Sequence, residues 1–446
     1  MASKTKRAQL IKQRNFAKDF IYWAIAVFII KLIVVFNVQG GAWLGSDGEN
    51  YISGFKYMQQ EGIFSDATVL SYWPAGYPLF ILFLTLFGET YVFTTLAIVQ
   101  SAIYSFGAYF FAKQLQGTRL KSYAYIVFLF IILNPTLSLS SYVVGYESLA
   151  ASGYLIAVGL IIKDFVQKDD KKLLVYVAIS SAIFGFMSFI QPRLIVSGIL
   201  INLLWVLIRK PWKVASLLGA ASLIITLFFP VTLIFRNNQA SGLATISTNL
   251  GGTMFIGSGD SANGSYNPEG SGPPCKLVGT PSQIDNQRVV CALQWYLSNP
   301  IKTGKLFLKK TKFFWSPWVG PLENGTMARN PSLPINPIHS IRTTPDGYKL
   351  VYGTFGKLIS WFWLIGGLGF LFYGFIILWR ANQLERVIGS IAMIAISTSW
   401  LISLITIGDH RFRLPIMGMS LFLQAVGIRT LFKGGKPSMV DGPALR

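Results

Sequence analysis

Charged residues are scarce in this sequence. Asp, Glu, Lys and Arg make up only 13% of the 446 residues, whereas apolar residues make up 52%. A soluble domain is about a quarter charged, so this chain has too little charge to cover the surface of the soluble domains that its length would allow. The composition therefore excludes a soluble cytoplasmic or secreted protein and predicts an integral membrane protein.

Cysteine and histidine are also rare, with two of each in the chain. Zinc and iron–sulfur centres usually take about four Cys or His ligands, so we expect neither kind of metal site. Cys275 and Cys291 lie in a segment that we assign below to the outside of the cell, where disulfides form and persist. We therefore treat these two residues as candidates for a disulfide.

Long apolar runs account for most of the remaining sequence. A helix needs about 20 apolar residues to cross a bilayer, and runs of roughly that length recur along the chain. The expected fold class is all-α, a polytopic membrane protein with about ten transmembrane helices. The apolar segment 77–88 is too short to cross, and we expect it to be a helix lying at the outer interface. The expected spans are about 21–36, 91–111, 122–140, 147–162, 173–190, 194–208, 214–235, 355–378, 387–407 and 414–428.

The distribution of lysine and arginine predicts the orientation. The net charge is +21, and the basic residues lie before the first span and in short clusters between later spans, which is typical of cytoplasmic loops. This distribution argues against a nucleic-acid partner and predicts a cell-membrane protein with cytoplasmic N- and C-termini. The expected regions are an N-terminal transmembrane core, 1–235, with its first outer loop, 37–90; an extracytoplasmic loop, 236–350; and C-terminal transmembrane helices, 351–446.

Lysines recur at helical spacing in the long outer loop, opposite a set of apolar residues. This pattern predicts an amphipathic helix on the outer membrane surface. Its partners are then membrane lipids, and the alternative is that it guides a lipid phosphate toward a site. The lysines are Lys302, Lys305, Lys309 and Lys312.

Ionisable residues collect at the outer ends of the expected spans. Such groups are costly near the membrane unless they pair or line a wet cavity, and several separate outer turns present one. Each residue alone fits a solvated loop or a headgroup anchor, but together they suit a site for proton transfer and phosphate binding. They are Asp47, Glu49, Glu147, Arg193, Arg236, Arg411 and Arg413.

Five segments, in order, resemble the GT-C superfamily of glycosyltransferases that use polyprenyl-phosphate sugars, which includes the protein O-mannosyltransferases and the aminoarabinose lipid A transferases. The first resembles that family's acidic first outer loop, and the others resemble its later turns. The resemblance covers nearly the whole chain, although each motif alone is weak. The segments are GSDGENYISGFKYMQQEGIFSDATVLSYWPAGYPLFILFLTLFG, NPTLSLSSYVVGYESL, FIQPRL, FPVTLIFRNNQASGLATISTNLGGTMFIGSG and GDHRFRLPI.

The resemblance implies a GT-C-like fold and an enzyme that transfers a hexosyl or pentosyl group from a polyprenyl-phosphate donor to an extracytoplasmic glycan, lipid or protein, with inversion. Asp47 takes the position of the family's loop acid and is our first choice for the base. Glu49 is the second, because many relatives have adjacent acids where this chain has Asp-Gly-Glu. The implied substrate-binding residues are Tyr51, Glu147, Arg193, Arg236, Arg411 and Arg413.

Two alternative functions remain beside the enzyme, and the use of a divalent metal ion is undecided. A transporter or flippase of a lipid-linked or anionic substrate would also place acids and arginines in a cavity. A non-catalytic membrane subunit would keep the fold and lose the set of acids and arginines. A divalent cation bridges acid and phosphate in some members of the family, and the sequence alone does not decide whether this chain uses one.

Overall fold

The computed structural model describes residues 20–37, 41–44, 47–266, 272–315 and 353–432. Helices dominate this part of the chain, which confirms the all-α expectation, and its two strands, β1 (Trp43–Leu44) and β2 (Val143–Val144), have two residues each. In the first half the helices are α1 Phe20–Phe36, α2 Gly48–Glu61, α3 Thr68–Tyr72, α4 Gly76–Leu84, α5 Val92–Gln116, α6 Ala124–Ile132, α7 Pro135–Ser140, α8 Glu147–Gln167 and α9 Asp170–Ile190. In the second half they are α10 Ile195–Arg209, α11 Trp212–Ser241, α12 Leu250–Ile256, α13 Pro281–Ser298, α14 Pro300–Trp315, α15 Gly353–Trp379, α16 Gln383–Ile405 and α17 Met417–Phe432.

Within the described residues, six helices are long and apolar enough to cross a membrane, namely α5, α8, α9, α10 with the short 3-10 turn before it, α11 and α16. Shorter apolar helices lie at Phe20–Phe36, Gly76–Phe87, Leu364–Trp379 and Met417–Phe432. The protein is therefore a multi-pass membrane protein. Of the shorter segments, Gly76–Phe87 is the one that the sequence predicted to lie at the interface.

The expected span at about 122–140 differs from the structure. Two short helices, α6 and α7, replace a single long one. The helix breaks before Pro135 because a residue that precedes proline is driven out of the helical region. The side chain of Asn134 then caps α7 by accepting a hydrogen bond from the N–H of Leu137 at 3.1 Å.

Buried polar side chains join α9, α10 and α11. Asn202 of α10 accepts a hydrogen bond from Ser180 at 2.9 Å and donates to Ser181 at 3.1 Å and to Ser222 at 3.2 Å. Ser181 and Ser222 are themselves 2.7 Å apart. Hydrogen bonds of this kind hold neighbouring helices together in a membrane, where each contributes about 0.6 kcal/mol on average.

At one end of this group of helices, acids and basic residues meet. Asp164 of α8 accepts hydrogen bonds from Trp205 at 3.0 Å and from Arg209 at 3.2 Å. Asp170 of α9 forms ion pairs with Arg209 at 2.9 Å and with Lys210 at 2.5 Å. We call this the Asp164 end of the bundle. It ties together the helices α8, α9 and α10 on the side opposite to the candidate site.

At the other end, β1 and β2 bring two distant parts of the chain together. The two strands pair in parallel, so that residues 43 and 44 lie opposite residues 143 and 144. Asp47 follows three residues after β1, and Glu147 follows three residues after β2. The pairing therefore sets the two acidic segments side by side, and we call this the Asp47 end of the bundle.

A buried glutamine of α5 supports β2. Gln100 is completely buried, and its side-chain amide donates hydrogen bonds to the carbonyl groups of Ser141 at 3.3 Å and Val143 at 2.9 Å. The hydroxyl of Tyr77 donates to Gln100 at 3.1 Å and accepts from the N–H of Gly145 at 2.8 Å. These bonds fix the backbone immediately before Glu147.

The described residues of the expected polar loop, which reach residue 315, form several helices, and residues 316–350 of that loop lie outside the described part of the chain. Helix α11 continues to Ser241, five residues past Arg236, and α12, α13 and α14 follow. The amphipathic pattern was right in predicting a helix at α14. One lysine that the pattern did not include, Lys310, is completely buried on the inner side of this helix.

Lys310 joins α14 to the chain that follows α16. Its ammonium group donates hydrogen bonds to the carbonyl groups of Leu404 at 2.8 Å and Thr406 at 2.5 Å, and to the Tyr296 hydroxyl at 2.8 Å. The two carbonyl groups belong to the C-terminal end of α16, where a cation interacts favourably with the helix dipole. Trp400 of α16 adds a hydrogen bond to Thr311 at 3.2 Å. The turn that carries Arg411 is thereby held against α14.

Candidate active site

An ion pair between Asp47 and Arg411 lies at the Asp47 end of the bundle. The carboxylate oxygen Oδ2 of Asp47 is 2.8 Å from Nη1 of Arg411, and each side chain is 16% exposed. Asp47 occupies the N-cap position of α2, but its carboxylate does not cap that helix. A capping hydrogen bond from an N-cap aspartate stabilises a helix by about 1 kcal/mol. The Asp47 carboxylate does not make this bond and pairs with Arg411 instead, which leaves α2 less stable.

The turn carrying Arg411 is a 3-10 helix, His410–Arg413. The side chain of Asp409 caps it by accepting a hydrogen bond from the N–H of Arg411 at 2.9 Å. Burial by itself would lower the pKa of Arg411, but the neighbouring charges of Asp47 and Asp409 raise that pKa above its ordinary value. Arg411 is therefore a fixed cation.

Glu147 lies next to this ion pair. Its side chain is 6% exposed in the first turn of α8, where the helix dipole favours an anion. The charges of Arg411, Asp47 and Arg193 all act on it. The structure thus brings together two acids and two arginines from four separate segments of the chain.

Arg193 completes this group from the short turn before α10. Its guanidinium lies 3.7 Å from the centre of the Phe412 ring, a cation–π contact. Its buried Nη1 atom has no hydrogen-bond acceptor among the residues that the structure describes. Arg411 lies 5.6 Å from the same ring. Phe412 therefore spaces two guanidinium groups, one of which has a donor left for a ligand.

Tyr51 lies one helical turn after Asp47. It is 1% exposed, and its ring packs 4.9 Å from Tyr77 and 6.2 Å from Trp73. Burial, followed by the negative charge of Asp47, raises the pKa of its phenol well above the ordinary value. Tyr51 is thus a neutral hydroxyl inside the group. We call Asp47, Tyr51, Glu147, Arg193 and Arg411 the Asp47 cluster.

Three other residues from the sequence-based set lie apart from this cluster. Glu49 is exposed on the first turn of α2. Arg413 is buried beside Trp315, with its guanidinium 5.8 Å from the ring centre, and burial lowers its pKa to about 10. Arg413 thus faces α14, whereas Arg411 faces Asp47.

Arg236, the third of them, has a different set of contacts. Its guanidinium donates to the carbonyl group of Ile63 at 2.9 Å, to the carbonyl group of Ser65, and to the side chain of Asn237 at 2.9 Å. Asn237 in turn donates to the carbonyl group of Thr245 at 2.8 Å. Arg236 therefore fastens the first outer loop to α11 and to the segment after it.

Cys275 and Cys291 form a disulfide with their Cα atoms 6.4 Å apart. It ties the segment before α13 to the middle of that helix. The disulfide removes conformational entropy from the unfolded chain, and for a loop of this size the effect stabilises the folded protein by about 3 kcal/mol.

The residues of the Asp47 cluster do not make a metal site of their own. Within the described ranges, no group of three or more His, Cys, Asp and Glu side chains is arranged to hold a metal ion. The charge that faces the Asp47 carboxylate is the Arg411 guanidinium.

Sequence reasoning missed the residues that hold the cluster in place. Gln100, Tyr77 and Lys310 support the segments bearing Glu147 and Arg411, yet each looks like an ordinary polar residue in or near an apolar helix. A signal existed for Lys310, because it shares a helical face with Thr303, Leu306 and Phe314, which are all buried.

The fold is similar to that of the archaeal oligosaccharyltransferase AglB from Archaeoglobus fulgidus. The structure in complex with an inhibitory peptide and a dolichol-phosphate aligns with a TM-score of 0.48 at 14% identity, over 92% of this chain and 50% of that chain. The apo form of the A. fulgidus enzyme aligns with a TM-score of 0.49 at 12% identity, over 92% and 51%. This chain thus spans about half the length of those proteins. No family model and no curated protein sequence matches it.

Proposed function

We propose that this protein is a membrane glycosyltransferase of the GT-C type, which moves a sugar from a polyprenyl-phosphate donor to an extracytoplasmic acceptor with inversion. The Asp47 end of the bundle then faces the outside of the cell, and both termini face the cytoplasm. The single observation that carries the proposal is the pairing of the Asp47 carboxylate with Arg411 beside Glu147 and Arg193. The resemblance of the sequence segments to the GT-C family agrees with it.

Transfer of this kind needs a base and a cationic group close together. The base accepts the proton of the acceptor hydroxyl as its oxygen attacks the anomeric carbon. The new bond forms between that oxygen and the anomeric carbon, while the bond from the same carbon to the phosphate oxygen breaks, which inverts the configuration. The departing polyprenyl phosphate keeps the electron pair and gains negative charge, which a preorganised cation stabilises.

Asp47 suits the role of base, because its carboxylate is partly exposed and stands at the edge of the cluster. Arg411 suits the leaving phosphate, because a guanidinium stays charged and grips a phosphate through two donors. Arg193 adds the buried Nη1 donor described above. Glu147, which lies deeper, balances the charge of the two arginines and orients them.

The neighbouring surface suits a lipid-linked donor. The short helix Gly76–Phe87 exposes Phe83, Leu86 and Phe87, and its first turn packs so closely on α9 that a Cβ on Gly76 would lie 2.0 Å from the carbonyl oxygen of Phe189. Because this apolar helix packs firmly on α9, its exposed side chains can contact the isoprenoid chain of the donor beside the cluster. The sugar phosphate then reaches Arg411 from the membrane side.

Cleavage of the donor tests the proposal against a transporter. Purified protein is incubated with a radiolabelled polyprenyl-phosphate sugar and a membrane extract that contains acceptors. We expect free polyprenyl phosphate to appear together with labelled acceptor. Movement of the intact donor across a vesicle membrane, with no cleavage for any of several donor lipids, would instead identify a transporter or flippase.

A further inference from the structure

A second polar group lies beside the Asp47 cluster, between α3, α12 and α13. Asp285 of α13 is 6% exposed, and its carboxylate accepts a hydrogen bond from the N–H of Gly252 at 3.1 Å. The backbones come so close here that a Cβ on Gly251 would lie 2.0 Å from the carbonyl oxygen of Asp285. The contact fixes α12 against α13 and occupies the Asp285 carboxylate.

Arg288 lies one turn after Asp285 on the same face of α13. Its guanidinium stands 6.0 Å from the centre of the Phe255 ring. Its Nε atom is buried and has no hydrogen-bond partner within the described part of the chain. Within the described residues no ion pair joins Arg288 to Asp285, although the charge of Arg288 acts on that carboxylate. The guanidinium therefore lies beside the Phe255 ring with its Nε donor unpaired in the described part of the chain.

The Tyr72 hydroxyl and the Arg288 guanidinium both lie close to Gly252. A Cβ placed on Gly252 would lie 3.4 Å from the Tyr72 hydroxyl oxygen and 3.9 Å from Nη1 of Arg288. These distances are those of ordinary contact, so a methyl-sized group beside Gly252 fits without a clash and touches both donors. Two donors, one of them charged, thus border a niche whose floor is a glycine.

This niche is connected to the Asp47 cluster through aromatic rings. Tyr72 packs 5.5 Å from Trp73, and Trp73 packs 6.2 Å from Tyr51 of the cluster. The charge of Asp47 acts on Tyr72 as well. The niche therefore neighbours the cluster that contains the proposed base.

We propose that Tyr72, Arg288 and Gly252 form an oxyanion-binding subsite, which takes a phosphate or carboxylate group of the acceptor. An arginine with a neighbouring hydroxyl donor matches the oxygens of such a group. Binding of an oxyanion stands on this geometry alone, whereas its assignment to the acceptor rests on the proposed function. The niche lies on α3, α12 and α13, none of which is a candidate membrane span, so a water-soluble group fits it better than the donor lipid does.

Protection of Arg288 from phenylglyoxal tests the binding. The full chain in lipid nanodiscs is treated with the reagent at increasing inorganic phosphate or acetate, and modification of each arginine is measured by peptide mass spectrometry. We expect either anion to protect Arg288 but not the exposed Arg380 of the turn after α15. Equal reaction of both arginines at every anion concentration would overturn the subsite.

Two variants remove the niche in different ways. Gly252→Ala fills it with a methyl group, and Tyr72→Phe removes one donor at constant ring volume. Each should raise the phosphate concentration for half-protection about tenfold to hundredfold, the worth of a lost hydrogen bond to a charged group. Gly304→Ala on α14, where a Cβ would meet nothing within 4 Å, is the matched control and should behave as wild type. Unchanged protection in both niche variants would contradict the proposal.

The transfer assay then separates the subsite from the proposed function. In Tyr72→Phe we expect a higher KM for the acceptor with unchanged binding of polyprenyl phosphate. If polyprenyl phosphate protects Arg288 and inorganic phosphate does not, the niche holds the donor headgroup and the acceptor assignment is wrong. Protection by inorganic phosphate in a protein that cleaves no donor would keep the oxyanion site and refute the proposed function alone.

Discussion

Replacing Arg411 by lysine tests which arginine of the 3-10 turn holds the donor phosphate. Lysine keeps the positive charge but offers a point charge in place of the planar fork. The Arg411 side chain is only 16% exposed, so solvent screens its contacts little. A charge-assisted hydrogen bond at such a position contributes about 1.5–3 kcal/mol, and we expect polyprenyl phosphate to bind Arg411→Lys about tenfold to hundredfold more weakly.

The neighbouring arginine provides the matched control. Arg413 lies two positions away in the same turn but faces Trp315. Arg413→Lys should therefore keep the affinity for polyprenyl phosphate, measured by equilibrium binding of radiolabelled lipid to protein in nanodiscs. Thermal unfolding of each variant separates lost binding from lost structure. Loss of affinity confined to Arg413→Lys, or wild-type affinity in Arg411→Lys, would refute the assignment.

Three further predictions concern pH, the disulfide and topology. Burial lowers the pKa of Lys310 to about 7, so above pH 7 the folded chain binds fewer protons than the unfolded chain does. The free energy of unfolding should therefore rise from pH 7 toward pH 10. A flat profile, or the same rise in Lys310→Met, would contradict this prediction. Reduction of Cys275–Cys291 should destabilise the protein by about 3 kcal/mol in thermal unfolding, and an unchanged midpoint would contradict it. A cysteine at the exposed Asn286 should react with an impermeant maleimide on intact cells whereas one at Gln167 should not, and the reverse pattern would overturn the orientation.

Of the ten expected spans, six coincide with described helices that are long and apolar enough to cross a membrane, because span length and hydropathy are local properties. The prediction failed at 122–140, where Asn134 and Pro135 divide the run into two helices. The Asn-Pro pair is a visible helix-start signal inside an apolar stretch, but the hydropathy of the run outweighed it.

The candidate site was only partly predictable. Its residue types were recognisable, yet their grouping depends on the two-residue pairing of β1 with β2, which leaves no periodic pattern in the sequence. Arg411 and Arg413 lie in one 3-10 helix, and the sequence left both as candidates for phosphate binding. The structure shows that Arg411 meets Asp47, whereas Arg413 faces Trp315.

The niche beside Gly252 escaped sequence reasoning for a similar reason. Asp285 and Arg288 lie at helical spacing in α13, which begins with a capping box at Thr280 and Gln283. That signal predicts the helix but not the surface that it faces. Tyr72 comes from a segment more than 200 residues earlier, so only the fold brings it to Arg288.

The transfer rate of Asp47→Asn tests the central claim most directly. Asparagine keeps the size of aspartate and removes its basicity, so transfer of labelled sugar by purified protein should fall about 10²–10⁴-fold, the worth of a positioned general base. Glu49→Gln, which changes an exposed acid two residues away, should retain transfer. A near wild-type rate in Asp47→Asn would contradict the account, whether or not Glu49→Gln is impaired.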